Sequence, residues 1–288
     1  MITTVTAKKL PMLAAGPISI SPVSRMLRRY AAGLALLMLT LYGTGASAGT
    51  LDDVRRAGTL KVCIWPDYFA ISYRNPRTGL LQGIDIELSK AFAQDLGVAI
   101  ELVDTDFARV LSDLDERKCH IAMMGVGVTP QRAERVAFSR PYLRSDVYAV
   151  TTRANQTVRT WDDLDKPGRI VVVQSGTFME PLMRRTLVHA KLEAVQQPNE
   201  REREVQSGRA DAFITDYAYS QRVLLNTDWA RVVAPNRPVQ LTDYAYAVRK
   251  GEPEWLARVD RFVREIKQDG RLAAAAGRNN LLPILAKD

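Results

Sequence analysis

Short apolar runs alternate with amphipathic stretches along most of the chain. Leu60-Lys61-Val62-Cys63-Ile64 reads as a buried strand after a turn at Gly58. Gly79 and Gly83 bracket a turn, and residues 85–96 read as a helix through the spacing of Leu88, Ala91, Phe92 and Leu96, stopped by Gly97. Residues 98–103 predict a second strand, 107–114 a helix and 121–124 a third strand. A new unit begins after Tyr148-Ala149-Val150 and opens with Trp161-Asp162-Asp163-Leu164. It has strands at 170–173 and at 212–215, the second ending at Asp216. One helix runs from Ser175-Gly176-Thr177 to Leu187, and another ends at 205–208. Residues 244–248 are again strand-like, and 252–267 form an amphipathic helix with Leu256, Val259, Phe262, Val263 and Ile266 on one stripe. Strands and helices alternating at this spacing predict an α/β fold with largely parallel sheets.

The first 48 residues stand apart. Met26-Leu27-Arg28-Arg29 is basic, the 12 residues from Ala31 to Tyr42 are apolar, and Ala46-Ser47-Ala48 supplies small residues for cleavage. This is the pattern of a secretory signal peptide ending at Ala48, with residues 1–25 an upstream extension and Met1 or Met26 the start. A membrane span needs about 20 apolar residues, more than this run has. The remaining 240 residues are large for one core, and two lobes are expected.

Charge changes the picture once the leader is removed. The whole chain carries +8, but the first 48 residues hold five of the 40 basic residues and no acidic one, leaving 35 against 32. Basic and acidic residues also interleave, as in Glu200-Arg201-Glu202-Arg203-Glu204, which reads as a solvated helix face. A nucleic-acid partner is therefore not expected. The two cysteines, Cys63 and Cys119, sit at strand-like positions; an exported chain permits a disulfide between them, and two buried free thiols are the alternative. The two histidines, His120 and His189, have no ligand spacing around them, so no metal site and no cofactor are expected.

The candidate chemistry lies at Gly125-Val126-Gly127-Val128-Thr129-Pro130-Gln131-Arg132, where a strand hands over to a helix. Thr129 suits an N-cap and Pro130 the first helical position. Where a capping box would place Glu or Gln, this chain has Arg132, a cation at the positive end of a helix dipole. An anion held by Arg132 and the free helix N–H groups would resolve that conflict, so a small carboxylate is the first candidate ligand.

These segments together resemble the family-3 periplasmic solute-binding proteins of amino-acid ABC importers. The resemblance is carried by Gly58-Thr59-Leu60-Lys61-Val62, Gly83-Ile84-Asp85-Ile86-Glu87-Leu88, Thr129-Pro130-Gln131-Arg132 and Phe138-Ser139-Arg140-Pro141-Tyr142. Gly208-Arg209-Ala210-Asp211-Ala212, Thr215-Asp216 and Val248-Arg249-Lys250-Gly251 extend it over the chain after the leader. It implies a two-lobed type II periplasmic binding fold, each lobe a mostly parallel sheet flanked by helices. The lobes would be 49–147 plus 246–288, and 148–245, with hinge crossings near Val147 and Ala245. It implies a periplasmic monomer that hands a small amino-acid or carboxylate ligand to a membrane permease.

By the same resemblance Arg132 would pair with the α-carboxylate and Asp216 with the α-ammonium. Tyr68 and Phe107 would flank the ligand side chain, Gly125 would make a backbone contact, and Gln174, Thr177 and Phe178 would lie on the selectivity loop of the second lobe. Trp65 stands where members that bind cationic or polar ligands carry an acidic residue, which argues against a Lys or Arg ligand. Gly127 replaces a common Ser or Thr. Trp65, Tyr68, Phe107 and Phe178 point to a large, partly apolar or aromatic ligand side chain. The alternative is an enzyme on the same scaffold, since the chain also resembles cyclohexadienyl dehydratases, which act on prephenate or arogenate, in Val62-Cys63, Asp67-Tyr68, Lys118-Cys119 and Gly176 with Glu180. Glu180 would then be the general acid. Thr177 to Glu180 also reads as a capping box, which would depress the Glu180 pKa and oppose that role.

Overall fold

The computed structural model describes residues 49–287, so the expected signal peptide and its extension lie outside the described residues. Helix α1 (Thr50–Ala57) leads into β1 (Thr59–Ile64), the short pair β2 (Tyr73–Arg74) and β3 (Leu81–Gln82), and α2 (Ile84–Leu96). Then come β4 (Ala99–Asp104), α3 (Val110–Asp115), β5 (Ile121–Gly127), α4 (Pro130–Arg135), β6 (Val136–Phe138) and β7 (Leu143–Ser145). The chain passes to β8 (Val147–Thr152), β9 (Ile170–Gln174), α5 (Met179–Thr186), β10 (Lys191–Val195), α6 (Pro198–Gln206), β11 (Ala212–Asp216), α7 (Tyr217–Asn226) and β12 (Ala230–Val233). It returns through β13 (Thr242–Arg249) and closes with α8 (Pro253–Gln268) and α9 (Arg271–Arg278).

Besides the β2–β3 pair, two large sheets form among the described residues, one per lobe. The first has the order β4-β1-β5-β13-β6 with β7 also on β13, and the second β10-β9-β11-β8-β12. Each contains one reversed strand. In the first, β13 runs against β5, β6 and β7; in the second, β8 runs against β11 and β12. Each reversed strand is the first one laid down after the chain changes sheets. The central strands β5 and β11 are buried at every residue, as expected for strands covered on both faces.

Three local expectations change. The predicted helix at 107–114 begins only at Val110, because the Asp106 carboxylate accepts the N–H groups of Ala108 and Arg109 and holds Phe107 in a turn. The return crossing occupies 234–241 rather than Ala245, because Thr242, Asp243 and Tyr244 already pair with Ser145, Arg144 and Leu143. The run at 200–204 is not wholly solvated: Arg201 is 2% exposed, one helical turn before buried Val205. The two crossings are tied together by Asp146, whose carboxylate accepts the N–H groups of Val239 (3.0 Å) and Gln240 (2.9 Å).

The β1–β5 register sets Cys63 opposite Ala122 and brings Cys119 within bridging reach, with Cα atoms 5.6 Å apart. The two form a disulfide, and there is no free cysteine. His120 extends the same pairing: its N–H donates to the Lys61 carbonyl, and its Nδ1 accepts the Lys61 N–H (3.0 Å). No helix among the described residues is long and apolar enough to cross a membrane.

The bridge closes a loop with a sequence separation of 56 residues. Cys63→Ala/Cys119→Ala is expected to lose about 2–4 kcal/mol of unfolding free energy in urea titrations. Thiol labelling of the unfolded, unreduced wild type is expected to find none.

Candidate functional site

The carboxyl ends of the parallel strands in both sheets converge on one cleft, the position where open α/β sheets hold ligands. Arg132 reaches it from α4. Thr129 caps that helix by accepting the Arg132 N–H (3.2 Å), with Pro130 in its first turn. Arg132 as a whole is 7% exposed; Nη1 donates to the Gly127 carbonyl (2.9 Å) and Nη2 to the Gly176 carbonyl of the other lobe (3.1 Å). Burial brings its pKa down to about 10, so it remains a cation at neutral pH.

Asp216 faces the cleft from the second sheet. It ends β11 and caps α7, where Oδ1 accepts the Tyr219 N–H (3.0 Å). Its Oδ2 accepts the hydroxyls of Tyr68 and Tyr244 (2.7 Å for Tyr244), both from the first lobe. Burial, with Asp216 adding to it, pushes both tyrosine pKa values well above normal, so both remain donors. Asp216 is 1% exposed and its hydrogen-bond donors are all neutral. An ionised carboxyl at such a site calls for a positive partner.

Between these charges lie Trp65, Tyr68 and Phe107, with ring centroids 5.2–5.8 Å apart. Phe178 closes the opposite side, 6.3 Å from Tyr244. Gly127 makes this possible, since a Cβ there would meet the Phe178 ring at 3.0 Å. The hydroxyl-bearing residue common at this position in the resembled family is thus exchanged for room. Gly125 lies against Tyr68 at positive φ, and its N–H goes to Asp85 (2.9 Å). Beside a cavity of about 360 Å³ lined from both lobes by residues that include Trp65, Phe107 and Gln174, two small cavities of about 20 Å³ each remain between the lobes. One is lined by Gly125, Gly127, Arg132 and Phe178, the other by Trp65, Gln174, Arg201 and Asp216; Tyr68, Phe107, Thr177 and Met179 line both.

The expected capping box at Thr177 does not form. Helix α5 starts at Met179, and the Thr177 hydroxyl donates instead to the Gln174 carbonyl (2.7 Å). Glu180 pairs with Arg184 (2.8 Å) and accepts the Gly176 N–H (3.3 Å). Arg184 foremost holds its carboxyl below the usual range, and Glu180 lines neither small cavity. No group of three or more His, Cys, Asp or Glu side chains placed for a metal occurs among the described residues.

The sequence model of the bacterial extracellular solute-binding proteins, family 3, matches residues 60–278. The chain belongs to that family. It is 27% identical over 230 residues to the L-cystine-binding protein TcyJ of Escherichia coli, covering 80% of this chain and 85% of that one. It is 25% identical to the cyclohexadienyl dehydratase of Pseudomonas aeruginosa, over 82% of this chain and 88% of the enzyme. Among solved structures, the ancestral amino acid-binding protein AncCDT-1, described as a precursor of cyclohexadienyl dehydratase, superposes with a TM-score of 0.72 at 33% identity. That match covers 81% of this chain and 99% of the ancestral one. The two-lobed type II fold of this solute-binding family is therefore the fold of this chain.

The structure brings all nine of the residues expected at the ligand together: Trp65, Tyr68, Phe107, Gly125, Arg132, Gln174, Thr177, Phe178 and Asp216. It adds Tyr244, Arg201 and Asp85, which sequence reasoning missed. Arg201 had a signal, because it shares a helical face with Val205. Asp85 lies fully buried under the Gly125 turn, accepting the Gly125 N–H and the Tyr142 hydroxyl (2.6 Å) on Oδ2. Burial pushes its pKa up to about 7 against those two hydrogen bonds. The folded chain thus binds this proton more tightly than the unfolded one. The stability tied to Asp85 is complete below about pH 4 and is lost as pH rises through about 7, a change on the order of 4 kcal/mol. Asp85→Asn, which cannot titrate, is expected to gain on the wild type across that window in denaturant titrations at pH 5, 6, 7 and 8. Parallel curves for the two proteins would reject this.

Proposed function

We propose that the chain is an exported, periplasmic solute-binding protein that captures a free amino acid, or a similar small carboxylate, for an ABC importer. The observation that carries this reading is the opposed pair of buried charges. Arg132 comes from one lobe and Asp216 from the other, and the aromatic residues Tyr68 and Phe107 border both small cavities. An α-amino acid presents one carboxylate and one ammonium, the two partners that these side chains need. The carboxylate would replace carbonyl oxygens at Arg132 with a charge-assisted, bidentate partner. The ammonium would add a donor at Asp216, which has lone pairs left after its hydrogen bonds. Release to a membrane permease would follow from the lobes parting at Asp146 and 234–241. The signal peptide is taken as cleaved after Ala48 and the mature protein as a monomer.

The cavities that Arg132 and Asp216 line hold about 20 Å³ each, less than an amino acid, so reaching this pair requires the lobes to separate and the Arg132–Gly176 and Tyr68–Asp216 contacts to break. The dehydratase alternative has a relative of similar identity behind it, but its candidate acid is held ionised by Arg184 and lies off the cavities. Purified protein is expected to bind an amino acid and to show no turnover of prephenate or arogenate. Turnover that disappears in Glu180→Gln would establish the enzyme instead.

Arg132→Ala is expected to weaken binding by more than about 2 kcal/mol in calorimetry, because the ligand carboxylate would be buried unpaired. Asp216→Asn is expected to weaken α-amino acids while sparing analogues that lack the amine. Equal losses for both ligand types would count against the assignment of Asp216.

A further inference from the structure

Arg201 is the charged group of the cleft that an amino-acid backbone leaves unanswered. It sits on α6 and is 2% exposed, with Nη1 on the Ile214 carbonyl (3.1 Å), two residues before Asp216. Its guanidinium lies over Tyr219 at 4.3 Å and Phe213 at 5.3 Å. Its Nε is buried without a hydrogen-bond partner, and no carboxylate pairs with it among the described residues. Neighbouring Glu202 is occupied by the Tyr219 hydroxyl (2.6 Å) and Arg222 (3.4 Å). On the same cavity the Gln174 Oε1 is also buried and unpartnered, but as an acceptor it calls for a donor and takes no part in holding an anion. A purely structural arginine at this depth would be expected to satisfy its donors within the protein.

The buried charges around these cavities do not balance. Of the charged residues that line the cavities between the lobes, only Arg132, Arg201 and Asp216 are buried, a net of +1; Asp67, Asp104, Asp106 and Arg109 of the larger cavity keep contact with solvent. A zwitterionic ligand would pair Arg132 and Asp216 and leave Arg201 buried and uncompensated, an unfavourable arrangement. A ligand of net charge −1 neutralises the set. We propose that the side chain of the bound amino acid carries a second carboxylate, and that Arg201 receives it. The site is then selective for acidic α-amino acids. The proposal rests on the amino-acid reading given above. It revises the expected large apolar side chain: the aromatic residues Trp65, Tyr68 and Phe107 border the side-chain stem, while Arg201 sets the selectivity.

The test is calorimetric titration of the full mature protein with glutamate, aspartate, glutamine, asparagine, arginine and phenylalanine. Glutamate and aspartate are expected to bind at least about tenfold more tightly than their amides. In Arg201→Met, which keeps an apolar stem against Tyr219, the acid-to-amide ratio is expected to fall to about one. Arg201→Lys, which keeps the charge without the fork, is expected to retain part of the preference. The ratio within one protein is insensitive to a general loss of stability, and if Arg201→Met does not fold, the wild-type ratio and Arg201→Lys decide. Wild type that binds amides or phenylalanine as tightly as acids overturns the role of Arg201 and leaves the amino-acid reading intact. An acid preference that survives in Arg201→Met also overturns it. Failure of every amino acid to bind overturns both.

Discussion

Ionised groups held almost without solvent between two sheets are the constraint on which the rest of the architecture depends. Asp216 is the clearest case. Its charge belongs to the second lobe, but two of its three hydrogen-bond donors, Tyr68 and Tyr244, belong to the first. Arg132 mirrors this from the other side, reaching across to the Gly176 carbonyl. Each lobe therefore satisfies the other's buried charge with neutral groups, which are weaker partners than a counter-ion. Such contacts can hold the lobes together and still give way to a charged ligand.

The topology explains why these groups meet. Trp65 follows β1, Phe107 follows β4, Gly127 ends β5, Gln174 ends β9 and Asp216 ends β11, so each lies at the carboxyl end of a parallel strand. The reversed strands β8 and β13 present their amino ends at the same edge, which brings Tyr244 to the cleft from the start of β13. The same reversal puts both chain crossings beside the cleft, where Asp146 joins them. Hinge and site thus arise from one feature of the sheet order.

Small residues set how closely the lobes approach. A side chain at Gly127 would crowd Phe178, and one at Gly176, which has positive φ, would meet the backbone of Ala108 at 3.1 Å. Below them Asp85 fixes the Gly125 turn through a carboxyl whose pKa burial raises to about 7. Shape at the site therefore depends on backbone positions, and charge on a few side chains that the backbone delivers.

The strand and helix pattern was legible in the sequence through apolar periodicity and turn glycines, and Arg132 stood out as a cation placed where a helix start disfavours it; the family and the candidacy of Asp216 came from the resemblance of whole segments. Arg132 conflicted with its own helix, and the structure shows its charge directed at the cleft. Other features depended on which faces meet. Arg201 looked like one more charge in an alternating run, and only its placement under β11 made it a buried guanidinium. Phe107 left its predicted helix because Asp106 captured two N–H groups first, and Thr177 gave its hydroxyl to Gln174 instead of capping α5. Asp85 and Tyr244 read as ordinary helix and strand residues until tertiary contacts placed them beneath and beside the site. The sequence by itself determined the elements and their order, since those follow from interactions a few residues apart. The tertiary structure alone decided which polar groups lost their water, because burial is a property of the surfaces that close over a side chain.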